Sequence, residues 1–137
     1  MEKLFIVWSD HFSVKVKEID DQHKILVQLI NDLYNAFMRK EHKEIIGDII
    51  NRMAEYAVMH FAAEEKYFEQ FNYIDAEPHI AEHNAFLTAV GNFKDDFDNN
   101  KTTLTFQVMT FLQKWLTNHI IGSDKKFTKC FKDGGLE

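Results

Sequence analysis

Met53-Ala-Glu-Tyr-Ala57-Val-Met-His60-Phe-Ala-Ala-Glu64 contains no residue that stops a helix, and its apolar positions lead into two that are not apolar. Met53, Ala57, His60 and Glu64 step by four, three and four, so all four fall on one face of an α-helix. A histidine and a carboxylate therefore continue a core stripe. The same device recurs on either side. His79 precedes His83 by four, His119 precedes Asp124 by five, and His23 stands alone in an earlier apolar stripe. A single histidine in such a stripe is more often an ordinary hydrogen-bonded core residue. Five histidines and two acids would be costly to bury without a shared purpose, and coordination of transition-metal ions supplies one.

Working outward, the periodicity predicts four amphipathic helices over about 19–38, 43–71, 76–97 and 103–121. Their inward positions are Ile19, His23, Leu26, Ile30, Leu33 and Phe37; then Ile46, Ile50, Met53, Ala57, His60, Glu64, Tyr67 and Phe71; then His79, His83, Phe86, Val90, Phe93 and Phe97; then Leu104, Val108, Phe111, Trp115 and His119. Lys24, Gln28, Asn31 and Asp32 fall on the opposite, polar faces. The expected fold is all-α, an up-down-up-down antiparallel four-helix bundle. Residues 1–18 form an arm, with Phe5, Trp8, Phe12, Val14 and Val16 covering a bundle over 19–121. The segment 122–137 adds a short helix with Phe127 and Phe131 inward, and residues 134–137 read as a flexible end.

Loop positions test whether the candidates meet. In adjacent antiparallel helices, level residues lie equally far from the turn between them. His23 and His60 centre between Glu41 and His42, Glu64 and His79 between Phe71 and Asn72, and His83 and His119 on Lys101. All three points lie on or beside polar loop segments, so the seven residues should converge near one end of the bundle. Asp124 needs a further condition. Five residues after His119 it points about 140° away on a regular helix, so the helix is expected to loosen or end near Gly122-Ser123 and turn the carboxylate inward. His11 and His42 lie outside the stripes and read as surface residues.

The composition bounds the rest. At 137 residues the chain is long enough for one domain with a sizeable core, and 45% apolar residues including thirteen Phe argue against disorder. One Pro and five Gly leave little turn chemistry for an all-β fold. A net charge of −6 with no basic stripe argues against nucleic-acid binding. The lone Cys130 forms no intrachain disulfide and no thiolate lies in the stripes, which disfavours zinc-thiolate, iron–sulfur and soft-copper sites. The first apolar run is too short for a signal peptide, and no stretch approaches the roughly 18 apolar residues of a membrane span. A cytoplasmic location is the expectation.

Mixed imidazole and carboxylate donors suit iron, manganese, copper or zinc, and a pair of irons is the reading preferred. Five imidazoles, two bridging carboxylates and one bridging oxide or hydroxide fall one bond short of filling two octahedral ions. That leaves a place for a small diatomic ligand. An imidazole-rich set stabilises highly oxidised iron less than the carboxylate-rich set of ferritin-like enzymes, which disfavours splitting an O–O bond.

Ile-Asp-Asp-Gln-His23, His60-Phe-Ala-Ala-Glu64-Glu, His79-Ile-Ala-Glu-His83 and Trp-Leu-Thr-Asn-His119-Ile-Ile-Gly-Ser-Asp124 resemble the hemerythrin family, most closely its single-domain bacterial members. A lone HxxxH is weak, whereas the ordered set of seven is specific and covers nearly the whole chain. The resemblance implies two iron ions joined by an oxide or hydroxide. His79, His83 and His119 would hold the coordinatively full iron, His23 and His60 the iron with the open position, and Glu64 and Asp124 would bridge. It implies reversible dioxygen binding for transport, storage or delivery rather than enzymatic turnover. By family position, Leu26, Phe61, Trp115, Leu116 and Ile120 would wall the oxygen pocket, although each is as readily explained by core packing. The partner expected is dioxygen, with an oxidase or signalling protein unidentified, and the chain is expected to be a monomer. Two other classes compete: an oxygen- or redox-sensing module acting through a partner, and a di-iron peroxidase, nitric-oxide reductase or iron-handling protein. For the last, Tyr67, one turn after Glu64, is the candidate proton donor.

Overall fold

The computed structural model describes residues 5–99 and 105–136, and these are helical with no strand. Four helices make the bundle: α1 (Lys17–Met38), α2 (Lys43–Gln70), α3 (Ala76–Asp98) and α4 (Thr105–Thr117). A π-helical segment, Asn118–Asp124, joins α4 to α5 (Lys125–Asp133). Helix α1 packs on α2 and α4, and α2 packs on α3. Leu104 and Lys101, both used in the sequence reading, lie outside the described residues.

Short reversals align the helices. At the end of α2, Asn72 takes a left-handed φ of 53°, and the Tyr73 amide returns to the Phe68 carbonyl at 2.9 Å. This is a Schellman closure, with asparagine tolerating the conformation. Lys40 does the same at φ 53° after α1, where the Glu41 amide reaches Ala36 O at 3.0 Å. Pro78 sits in the first turn of α3, where its missing N–H costs no helical bond.

The core follows the stripes with local shifts. In α2 the fully buried aromatics are Phe61 and Phe68, while Tyr67 and Phe71 are partly buried on its shoulder. In α4 the deepest residues are Leu112 and Leu116, one position beyond the expected Phe111 and Trp115. The wider rings lie to the side against α3, Phe111 on Phe93 at 5.5 Å and Trp115 on Phe86 at 4.5 Å.

Asn31, assigned to a polar outer face, is instead buried. Its side chain accepts from Ile6 N at 2.8 Å and donates to Ile6 O at 2.9 Å, as a paired strand would. A buried amide is tolerated because both its donor and acceptor are used. It pins the arm, whose Val14 and Val16 are buried, while Asp20 takes bonds from Ser13 Oγ and Val14 N. At the other end Phe127 and Phe131 are buried, stacked at 4.3 Å. The expected loose tail is in fact folded back. Leu136 packs against the core and its amide bonds Phe131 O at 3.0 Å.

Candidate metal centre

His23 comes from α1, His60 and Glu64 from α2, His79 and His83 from α3, and His119 and Asp124 from the π-helical segment. All seven are between 0 and 3% exposed and meet in one buried cluster. Two groups of donor atoms lie close enough to share an ion: Glu64 with His79, His83, His119 and Asp124, and Glu64 with His23 and His60. Glu64 belongs to both.

The π-helix resolves the five-residue spacing. Its hydrogen bonds run i to i+5, so His119 and Asp124 stack above one another instead of diverging. The helix loosens as expected but continues into α5 without a break. Gly122 is not what forces this, since a Cβ there would meet nothing within 4 Å. The buried ends of the segment, His119 and Asp124, face the cluster, and Ser123 is tied to α3.

Asp124 lies across the cluster. Its Oδ1 is 2.7 Å from His79 Nε2 and 3.0 Å from His119 Nε2, and its Oδ2 is 2.9 Å from His23 Nε2. Glu64 Oε1 is 3.1 Å from His83 Nε2 and 3.5 Å from His60 Nε2, and its Oε2 is 3.6 Å from His23 Nε2. Many of these atoms nevertheless lack hydrogen-bond geometry. His23 Nε2, His60 Nε2, His79 Nε2 and all four carboxylate oxygens are buried without a hydrogen-bond partner. Such a concentration of orphaned donors and acceptors is what a cation would satisfy.

The outer nitrogens fix the direction of the inner ones. His60 Nδ1 bonds Gln22 Oε1 at 2.6 Å, His83 Nδ1 bonds Glu65 Oε2 at 2.9 Å, and His119 Nδ1 bonds Glu82 Oε1 at 2.9 Å. These oxygens can only accept, so each Nδ1 carries a proton and Nε2 is the nitrogen that points inward, offering a lone pair whenever the ring is neutral. His83 Nε2 and His119 Nε2 then stand 3.1 Å apart. Without an ion a protonated His119 can donate across that gap, and nitrogens bound side by side to one octahedral ion at about 2.1 Å would likewise be about 3 Å apart. The residues present fit a metal.

Without an ion, protons take up part of the charge. Burial alone would push His23 down, but the Asp124 and Glu64 carboxylates outweigh it and raise its pKa to about 9. His119 behaves alike against Asp124 and rises to about 8, whereas burial dominates at His60 and lowers it to about 4. Burial also opposes ionisation of Glu64 and Asp124, but the surrounding imidazoles hold both below the usual carboxylate range.

Aromatic rings close the cluster. Phe61 stacks on His83 with centroids 3.9 Å apart and planes 7° from parallel, and Trp115 stacks on His119 at 4.3 Å. Leu26, Leu116 and Ile120 are also buried. Tyr67 does not serve the centre, because its hydroxyl donates to Glu18 Oε1 at 2.6 Å. The sequence reading missed Gln22, Glu65, Glu82 and Ser123. A signal was available: Gln22, Glu65 and Glu82 each adjoin a candidate ligand in sequence. About 100° round the helix from it, each reaches the next helix.

Residues 14–130 match the family model described as the hemerythrin HHE cation binding domain. The chain belongs to the hemerythrin family. It is 32% identical over 127 residues to the bacteriohemerythrin of Pseudomonas aeruginosa (strain PAO1 among others), covering 93% of this chain and 82% of that protein. It is 29% identical to the bacteriohemerythrin of Clostridium acetobutylicum, covering 88% and 97%. The crystal structure of wild-type hemerythrin superposes with a TM-score of 0.85 at 28% identity, covering 92% of this chain and 97% of that one. The chain is therefore a hemerythrin-family domain with a buried His/Glu/Asp cluster whose donor atoms could hold metal ions.

Proposed function

We propose that this protein binds dioxygen reversibly at two iron ions held by His23, His60, Glu64, His79, His83, His119 and Asp124. His79, His83 and His119 would hold one ion and His23 and His60 the other, with the Glu64 and Asp124 carboxylates available to both. The sharing of Glu64 by both donor groups carries the pairing. The span of Asp124, with one oxygen toward His79 and His119 and the other toward His23, supports the second bridge. When bound, the ferrous pair supplies the two electrons that reversible oxygen uptake borrows.

The chain's own residues do the rest. His60, His83 and His119 are held by their Nδ1 bonds with lone pairs inward. Leu26, Phe61, Leu116 and Ile120, with Trp115 at the edge, exclude water from the pocket and so slow irreversible oxidation. With Tyr67 bonded to Glu18, no proton donor beyond the ligands is assigned, and the reading is a carrier, store or deliverer of oxygen rather than a peroxidase. No helix among the described residues is long and apolar enough to cross a membrane. The protein is taken as a cytoplasmic monomer.

The test is anaerobic reduction followed by exposure to oxygen and removal of oxygen. A visible charge-transfer band should appear and disappear over repeated cycles. Irreversible conversion to the ferric form at first contact would favour a sensor or enzyme.

A further inference from the structure

The outer hydrogen bonds run in one direction around the bundle. Gln22 of α1 holds His60 of α2, Glu65 of α2 holds His83 of α3, and Glu82 of α3 holds His119 beyond α4. The progression stops there. His23 of α1 has a buried Nδ1 with no partner, and its ring is placed by packing edge-on to His60 at 4.7 Å. The two donor groups are therefore supported unequally. In the group of His79, His83 and His119, two rings lean on carboxylates, and Glu82 is further fixed by Ser123 Oγ, 2.7 Å from each of its oxygens. In the group of His23 and His60, one ring leans on a neutral amide and the other has no partner at its outer nitrogen. A carboxylate behind an imidazole raises its basicity and fixes its orientation, and loss of such a partner commonly lowers metal affinity about 10–100-fold.

We propose that the His79–His83–His119 position fills first and holds its ion more tightly, that Glu65 and Glu82 are the positioning residues responsible, and that the His23–His60 position is the exchangeable one. The proposal rests on the two-ion reading above. It adds an order of assembly: a chain holding one ion holds it beside α3, and the position left incomplete is the one assigned the vacancy for oxygen. Unequal donor number acts in the same direction, since five donor residues surround the first position and four the second, counting the shared Glu64 and Asp124.

The experiment is a titration of metal-free protein with cobalt(II). It is followed by visible absorption for stoichiometry and by paramagnetic shifts of the imidazole N–H resonances for location. The first equivalent should shift His83 and His119, and the second should shift His60. Replacing both carboxylates (Glu65→Gln with Glu82→Gln) keeps side-chain size and should weaken the first step 10–100-fold while changing the second less. Gln22→Glu should strengthen the second step. A first equivalent that shifts His60 as strongly as His83 overturns the proposal, as does a double variant that weakens both steps alike. If wild-type protein stops at one equivalent, the two-ion reading fails. The loading order then survives if that ion shifts His83 and His119, and falls if it shifts His60. Uptake of no cobalt would refute both.

Discussion

Replacing Glu64 by Ala removes the side chain on which the pairing depends. Glu64 is fully buried, and its two oxygens lie within 4.0 Å of His83, His60, His23 and His79. Two effects follow and can be separated by measuring stability with and without metal. In metal-free protein, removing one partner of a buried ionic group costs about 3–5 kcal/mol in general. Here the cost should fall toward about 2 kcal/mol. Burial and Asp124 already disfavour the Glu64 charge, and His23 can release its proton once the carboxylate is gone. With metal, each ion present at 100 times its dissociation constant stabilises the folded state by about 2.7 kcal/mol, so two ions add about 5 kcal/mol. Loss of the shared ligand should remove at least one ion and halve that increment. Urea unfolding of wild type, Glu64→Ala and the space-conserving Glu64→Gln, each chelated and metal-loaded, measures both quantities. A Glu64→Ala protein with the full metal-induced increment would show that Glu64 does not join the two positions.

Three further outcomes are expected. Metal loading at pH 7 should release protons from His23 and His119, because their pKa values of about 9 and about 8 leave them charged, whereas His60 at about 4 contributes none. Calorimetry in buffers of different ionisation enthalpy should find this release declining as pH rises through 8 and 9, and a constant release would contradict the assignment. The same raised pKa makes the His23 contribution to metal-free stability complete below its ordinary value of 6.5 and lost as pH climbs through about 9. Phe61→Ala should cost about 3–5 kcal/mol in unfolding and speed oxidation of the ferrous protein by admitting water; a loss under about 1 kcal/mol would mean the ring does not close the pocket. Asn31→Ala removes both bonds to Ile6 and should cost about 2 kcal/mol, with proteolysis appearing in the arm before the bundle; an arm cleaved no faster than in wild type would refute the pinning role.

The helices and the clustered residues were legible because every candidate but Asp124 replaces an apolar residue in a helical stripe, and a stripe is a strong periodic signal. His119 and Asp124 broke the period, and the break itself pointed to the distorted turn. What periodicity cannot show is a side chain serving a neighbouring helix. Gln22, Glu65 and Glu82 look like ordinary solvent-facing residues on their own helices, and only the packing of adjacent helices gives them partners. Asn31 escaped for the same reason, since its partner is the backbone of Ile6, 25 residues away. The core of α2 centres on Phe68 and that of α4 on Leu112, shifts of one residue that a stripe of threes and fours does not distinguish.

The proposed oxygen chemistry requires seven dispersed side chains to enclose two metal ions that share both carboxylates. Anomalous diffraction at the iron absorption edge, on crystals of iron-loaded protein, tests it most directly. Two peaks are expected, one beside His79, His83 and His119 and one beside His23 and His60, with Glu64 and Asp124 each touching both. A single peak, or a pair in which either carboxylate contacts only one ion, would contradict it.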